Sequence, residues 1–183
     1  MSKKLVFVLG GARSGKSQFV EGYAREHARK VLFVATAQAF DDEMQTRIAH
    51  HRETRPAAWH TLEVPLGVGG AIKHFSGEYE LLILDCLTLL AANALMQLPD
   101  DAPQEDAAAA IMQEIDLLLG TYEHSSAVWL IVSNEVGMGV VPPTKLGRFF
   151  RDELGKANQK IAQAADEVIL MVAGLPWRLK PYP

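Results

Sequence analysis

The sequence of 183 residues is poor in cysteine and in clustered positive charge. Its single cysteine, Cys86, excludes an internal disulfide and any metal site built from several cysteines. Because Cys86 follows the apolar run 81–84, we expect it to be a buried structural thiol. Lysines and arginines are scattered and the formal net charge is −4, so charge does not favour binding to nucleic acid or to an anionic membrane.

Long apolar runs are also absent, since no stretch reaches the roughly 20 residues that a membrane span needs. A signal peptide is not expected, because cleavage after the first short apolar run, 5–9, would remove the glycine-rich segment that follows it. We therefore expect a cytoplasmic protein without a membrane span. A chain of 183 residues suits one domain with a sizeable core, so residues 1–183 are interpreted as a single domain.

Residues 10–17 read GGARSGKS and form a complete G-x-x-x-x-G-K-[ST] phosphate loop. The loop lies between the apolar run 5–9 and a helix-compatible stretch, 18–29, which is the strand–loop–helix context that the motif requires. Backbone N–H groups of such a loop converge on one anion at the start of a helix. Lys16 is expected to act in catalysis at the β- and γ-phosphates, and Ser17 to bind Mg²⁺. The predicted ligand is a nucleoside triphosphate, held by Gly10, Gly11, Ala12, Arg13, Ser14, Gly15, Lys16 and Ser17.

Short apolar runs alternate with helix-compatible stretches along the chain, and this alternation predicts an α/β doubly wound sheet. The runs are continuous, which is typical of parallel strands covered on both faces. The expected fold is a P-loop NTPase-like (RecA-like) domain with a mostly parallel sheet and helices on both faces. The predicted strands are 5–9, 31–35, 81–84, 128–132 and 168–172, and the predicted helices lie near 16–29, 42–53, 88–97, 104–122 and 144–165.

An acidic residue, Asp85, ends the third apolar run. Enzymes with a phosphate loop hold Mg²⁺ at this place, and this is the role we expect for Asp85; the alternative is that Asp85 caps the helix that follows. Regulatory GTPases carry Asp-x-x-Gly and Asn-Lys-x-Asp motifs, whereas this chain has DCLT at 85–88 and SNEV at 133–136. A GTPase switch is therefore disfavoured, and the size fits a small-molecule kinase or a nucleotidyltransferase.

Two adjacent histidines lie on the predicted helix 42–53. Asp42 and Gln45 resemble a capping box, which indicates where that helix begins. Helical spacing places His51 on the apolar face and His50 on the neighbouring polar face. An imidazole can attack phosphorus and form a phosphoramidate. Spacing alone leaves two interpretations of His50, a nucleophile or a solvated surface histidine.

Several motifs, in one order and without large gaps, span nearly the whole chain. They are GGARSGKS (10–17), ATA (35–37), DDEM and RIAHH within 41–51, W-x-T-x-E (59–63), LDCLT (84–88), SNEVGMGVVP (133–142), Arg148 with Phe150, Arg151, Asp152, Gly155, Asn158 and Gln159, and AADE (164–167). This set resembles the bifunctional adenosylcobinamide kinase / adenosylcobinamide-phosphate guanylyltransferase family of cobalamin biosynthesis.

The resemblance implies two reactions. ATP or GTP would phosphorylate the aminopropanol hydroxyl of adenosylcobinamide, and GMP would then pass from GTP to that phosphate, releasing pyrophosphate and giving adenosylcobinamide-GDP. It implies that His50 carries the GMP and that the enzyme is a homotrimer. The strand-end acid Asp85 would be a nucleotide and Mg²⁺ ligand. The other implied nucleotide contacts are Ala35, Thr36, Ala37, His51, Arg52, Glu53, Thr54 and Glu63. The alternative function is another P-loop small-molecule kinase without histidine chemistry.

Overall fold

The computed structural model describes residues 2–38, 55–99 and 101–181. The predicted helix 42–53 lies outside these ranges. So do five predicted site residues, His50, His51, Arg52, Glu53 and Thr54.

Strands and helices alternate through most of the described chain, as the apolar runs predict. They are β1 (Lys4–Gly10), α1 (Lys16–His27), β2 (Val31–Ala35), β3 (His60–Glu63), α2 (Val68–His74), β4 (Leu81–Asp85), α3 (Leu87–Met96), α4 (Gln104–Glu123), β5 (Val128–Asn134), α5 (Lys145–Ala164), β6 (Glu167–Val172) and β7 (Leu175–Lys180). No helix in the described ranges is both long and apolar enough to cross a membrane.

The strands form one sheet of seven in the order β3-β2-β4-β5-β1-β6-β7. Neighbours from β3 to β6 pair in parallel, and only β7, among the described strands, is antiparallel to its neighbour. A two-residue turn, Ala173–Gly174, joins β6 to β7, and both residues have positive φ, as tight hairpin turns require. The parallel arrangement gathers the carboxyl ends of β1, β2, β4 and β5 at one edge.

Helices cover both faces of the sheet, and alternate residues of each strand point to opposite faces. In β1, Leu5 and Phe7 pack in the cluster that includes α2, α3, α4 and α5. Val6 and Val8 point the other way and pack with Val20 of α1. The central strands are apolar on both sides because both sides are covered.

The five predicted strands are confirmed, and so are the predicted helices that fall within the described ranges. Three elements had no prediction. The edge strand β3 is short and largely exposed, and its sequence HTLE has no apolar run. Two adjacent glycines lower the helical propensity of α2. The sequence of β7 gives no clear strand signal, because it contains Pro176 and mostly exposed side chains and the strand pairs on one side only.

Candidate nucleotide-binding site

The phosphate loop connects the end of β1 to the first turn of α1. Gly15 is the N-cap residue of α1, with φ of +95°, a conformation that favours glycine. A Cβ on Gly15 would lie 3.2 Å from the Cα of Gly174 in the β6–β7 turn. No side chain caps the helix and no acidic residue lies in its first turn, so its N-terminal N–H groups suit an anion.

Lys16 is the first residue of α1, and its ammonium group lies inside the loop. Its Nζ donates hydrogen bonds to the carbonyl oxygens of Gly10 at 2.9 Å and Gly11 at 2.6 Å. Burial lowers the pKa of Lys16, while Cys86 and Asp85 act in the opposite direction. These hydrogen bonds place the Lys16 side-chain nitrogen at the position where the motif predicts the phosphates.

Ser17 and Asp85 meet although they lie on different elements. The Ser17 hydroxyl donates to a carboxylate oxygen of Asp85 at 2.9 Å. The alternative role of Asp85 as a helix cap is not found, because Cys86 is the N-cap residue of α3. The described residues include no group of three or more histidine, cysteine or acidic side chains that could hold a metal. One carboxylate and one hydroxyl fit Mg²⁺, which binds few protein oxygens together with water and substrate phosphates.

Thr36, the residue after β2, hydrogen-bonds to Cys86, the residue after β4. Its Oγ1 donates to the carbonyl oxygen of Cys86 at 2.7 Å and accepts from the Cys86 N–H at 2.9 Å. The Asn93 side chain donates to the carbonyl oxygen of Thr36 at 2.8 Å. Thr36 is fully buried, so the structure does not bring this predicted contact residue to the cavity wall. Its side chain instead holds the backbone next to Asp85.

Cys86 is buried beside the site, as the sequence predicts for a structural thiol. Burial, followed by the nearby Asp85 carboxylate, raises the pKa of the Cys86 thiol to about 12. A thiol with this pKa is protonated at neutral pH, and a protonated thiol is a poor nucleophile.

A cavity of about 520 Å³ opens at the carboxyl edge of the sheet, above β1, β2, β4 and β5. It brings together most of the predicted contacts whose side chains the structure describes. These are Ala12, Arg13, Lys16, Ser17, Ala35, Ala37, Glu63 and Asp85. The remaining predicted loop residues, Gly10, Gly11, Ser14 and Gly15, form the backbone beside it.

Five further residues line the cavity without having been predicted as contacts: Arg55, Cys86, Leu89, Val132 and Asn134. The guanidinium of Arg55 lies 3.6 Å from the ring centroid of Phe33. No local pattern marks Arg55. Asn134, in contrast, is the last residue of β5 and lies two positions after the apolar run 128–132, so a strand-end argument like that for Asp85 could have found it.

Comparisons with known proteins concern the chain as a whole. The sequence profile of the family described as cobinamide kinase / cobinamide phosphate guanyltransferase matches residues 6–179. A bifunctional adenosylcobalamin biosynthesis protein of Salmonella typhimurium is 41% identical over 181 residues, covering 96% of this chain and 99% of that protein. The protein of that name in Escherichia coli is 39% identical, with coverage of 96% and 99%. One from Pseudomonas aeruginosa is 43% identical over 176 residues, with coverage of 96% and 97%.

Solved structures support the predicted RecA-like fold. The flagellar accessory protein FlaH from Methanocaldococcus jannaschii has a TM-score of 0.50 and 14% identity, covering 98% of this chain and 79% of that one. The RadB recombinase has a TM-score of 0.51 and 14% identity, covering 92% and 74%. At this identity the likeness concerns the fold alone. The family match, which extends over most of the sequence, is more specific: the chain belongs to the cobinamide kinase / cobinamide phosphate guanyltransferase family.

Proposed function

We propose that the cavity between the phosphate loop and Asp85 binds the nucleoside triphosphate for two reactions, phosphorylation of adenosylcobinamide and guanylylation of the resulting phosphate. The observation that carries this proposal is the meeting of Ser17 and Asp85 at 2.9 Å beside the buried Lys16. The chain has one phosphate loop motif, so both reactions would use the same loop.

In the first reaction, the aminopropanol hydroxyl of adenosylcobinamide attacks the γ-phosphorus. The new P–O bond forms as the bond to the β-phosphate oxygen breaks, the hydroxyl proton passes to water, and ADP or GDP leaves. Lys16 and the N–H groups of the loop stabilise the charge on the phosphate oxygens. Ser17 and Asp85 would hold Mg²⁺, which offsets charge on the β- and γ-phosphates when it is bound.

In the second reaction, a nitrogen of His50 attacks the α-phosphorus of GTP. The bond to the β-phosphate oxygen breaks, pyrophosphate leaves, and GMP is held as a phosphoramidate. An oxygen of adenosylcobinamide phosphate then attacks the same phosphorus and releases His50. The support for His50 is its sequence motif, since this residue lies outside the described ranges. His51, Arg52, Glu53 and Thr54 are proposed nucleotide contacts on the same ground.

We further propose that the chain acts as a single domain, in a cytoplasmic homotrimer. A corrinoid is large for the concave surface of one such chain, and a neighbouring subunit would supply a further wall. Three exposed apolar side chains, Met138, Val140 and Val141, follow β5 at the edge that carries the cavity and would suit such a contact. Sedimentation equilibrium should give a trimer, whereas a fully active monomer at micromolar concentration would contradict the assembly.

Mass analysis of reaction products tests the proposed function. Incubation with adenosylcobinamide, GTP and Mg²⁺ should yield adenosylcobinamide-GDP and pyrophosphate. Adenosylcobinamide phosphate as the only product would support the alternative, a small-molecule kinase without histidine chemistry, which the family match does not favour. The matched control omits GTP and should leave adenosylcobinamide unchanged.

A further inference from the structure

We propose that the side-chain amide of Asn134 contacts the terminal phosphate of the bound triphosphate, and that Thr88 and Asn158 are positioning residues that hold Asn134 there. This inference rests on the proposed nucleotide site. It assigns a role to a residue that the phosphate loop motif does not include.

The sheet places Asn134 between the two parts of the nucleotide site. Its strand, β5, lies between β1, which leads into the phosphate loop, and β4, which ends at Asp85. Asn134 is in register with Gly10 on one side, while Asp85 is in register with Val132 on the other. Asn134 therefore extends two residues, about 7 Å, beyond the level of Asp85 along the strand direction.

Strand alternation sets the direction of its side chain. Val132 packs in the cluster on the α1 face of the sheet. Ser133 points to the opposite face, where its hydroxyl donates to the Asn158 side chain at 2.7 Å. Asn134 must then point to the same face as Val132, and both residues line the cavity. This is the face on which Lys16 and Ser17 begin α1.

Side chains from two helices hold the backbone of Asn134. Its N–H donates to the Thr88 hydroxyl at 2.7 Å, and its carbonyl oxygen accepts from the Asn158 amide at 3.2 Å. Thr88, Ser133 and Asn158 are all buried, and their polar groups bond to one another and to this backbone. Within the part of the chain that the structure describes, no residue hydrogen-bonds to the Asn134 side-chain amide.

These contacts suit a neutral donor aimed at phosphate oxygens. A carboxamide NH₂ offers two donors and carries no charge, and a fixed backbone limits the positions that this group can reach. A donor directed at the γ-phosphoryl group stabilises the charge that this group carries during transfer. GTP and ATP have that group and GDP lacks it, so Asn134 would raise the affinity for a nucleoside triphosphate and not for a diphosphate.

The test is the affinity for GTP and for GDP, measured by calorimetry in the presence of Mg²⁺ and without corrinoid. Asn134→Ala should weaken GTP binding about tenfold and leave GDP binding unchanged, and should slow γ-phosphoryl transfer by about 100-fold. The exposed neighbour of Asn158 supplies the control, Gln159→Ala, which should match the parent. Equal losses for GTP and GDP, or no loss for either, would overturn the proposal.

The positioning role has its own pair of variants. Thr88→Val removes the hydroxyl that accepts from the Asn134 N–H, whereas Thr88→Ser keeps it. Thr88→Val should reduce the preference for GTP over GDP, and Thr88→Ser should retain it at a similar melting temperature. Identical behaviour of the two variants would overturn this role. Because binding is measured without corrinoid, a failure here is distinct from failure of the two proposed reactions.

Discussion

The hydroxyl of Ser17 donates a hydrogen bond to the carboxylate of Asp85 across 2.9 Å, although the two residues are 68 positions apart in sequence. The sheet order explains the meeting, since β1 and β4 flank β5 and all three end at the same edge. A hydroxyl and a carboxylate are the kinds of oxygen group that Mg²⁺ binds, and their position beside the phosphate loop supports the metal role that we propose for them.

Asp85→Asn tests the role of this pair in binding Mg²⁺. The amide keeps the size of the side chain and a hydrogen-bonding oxygen but loses the negative charge that attracts the cation. The Mg²⁺ concentration for half-maximal turnover should rise about 10- to 100-fold, with little change in melting temperature. Asp116→Asn is the control, because Asp116 is an exposed residue that pairs with Lys160 on the surface. An unchanged Mg²⁺ dependence in Asp85→Asn would show that Asp85 does not bind the metal.

The β6–β7 turn packs against the phosphate loop, and glycine substitutions test this contact. The Gly174 N–H donates to the Ser14 carbonyl oxygen at 3.0 Å. Gly15→Ala should lower the free energy of unfolding by more than about 2 kcal/mol, because the new side chain combines a positive φ with a Cβ only 3.2 Å from the Cα of Gly174. Gly174→Ala should cost about 1 kcal/mol, since nothing lies within 4 Å of the new Cβ.

Urea unfolding and GTP affinity measure both effects. Gly22→Ala, on α1 and with open space around the new Cβ, should stabilise the protein by about 0.5–1 kcal/mol. If Gly15→Ala and Gly22→Ala changed the free energy of unfolding by the same amount, this result would contradict the close packing of the loop against the turn.

The phosphate loop and Asp85 could be predicted from sequence because their signals are local. A glycine-rich loop and the end of an apolar run are each recognised within about ten residues. Strand β3 and helix α2 carry no such signal, since one is short and polar and the other contains adjacent glycines.

Contacts between distant residues could not be predicted in this way. The family resemblance implies that Thr36 contacts the nucleotide, yet its side chain hydrogen-bonds to the backbone of Cys86, 50 positions away. The side chains that hold Asn134 come from α3 and α5, and only the folded sheet brings them to the end of β5. Such pairings depend on strand order, which the alternation of elements leaves open.

The Cys86 thiol should react slowly in the native protein. Burial raises its pKa to about 12, whereas an exposed thiol has a pKa of about 8.5, so at pH 8 the reactive thiolate is nearly absent from the folded state. Raising the pH from 8 towards 12 should accelerate the reaction, because more thiolate forms. Absorbance with Ellman's reagent measures the rate, and unfolding in urea at pH 8 should make the reaction fast. A native rate equal to the unfolded rate would contradict the buried position.

The proposed His50 intermediate should label with α-³²P-GTP and not with γ-³²P-GTP. A phosphoramidate is labile in acid and stable in alkali, which distinguishes it from a phosphate ester of serine or threonine. His50→Asn should abolish the label and leave GTP binding largely intact, whereas His51→Asn should keep some label. If only His51→Asn lost the label, the roles of the two histidines would be reversed. If both variants kept the label, an intermediate on either histidine would be excluded.

Measurement of both activities in Lys16→Ala tests most directly whether one phosphate loop serves both reactions. In this variant, γ-phosphoryl transfer to adenosylcobinamide and GMP transfer to its phosphate should both fall at least about 100-fold, together with GTP affinity. Lys73→Ala, which removes an exposed lysine of α2, should retain both activities. Retention of either activity at the parent rate in Lys16→Ala would contradict the single shared site.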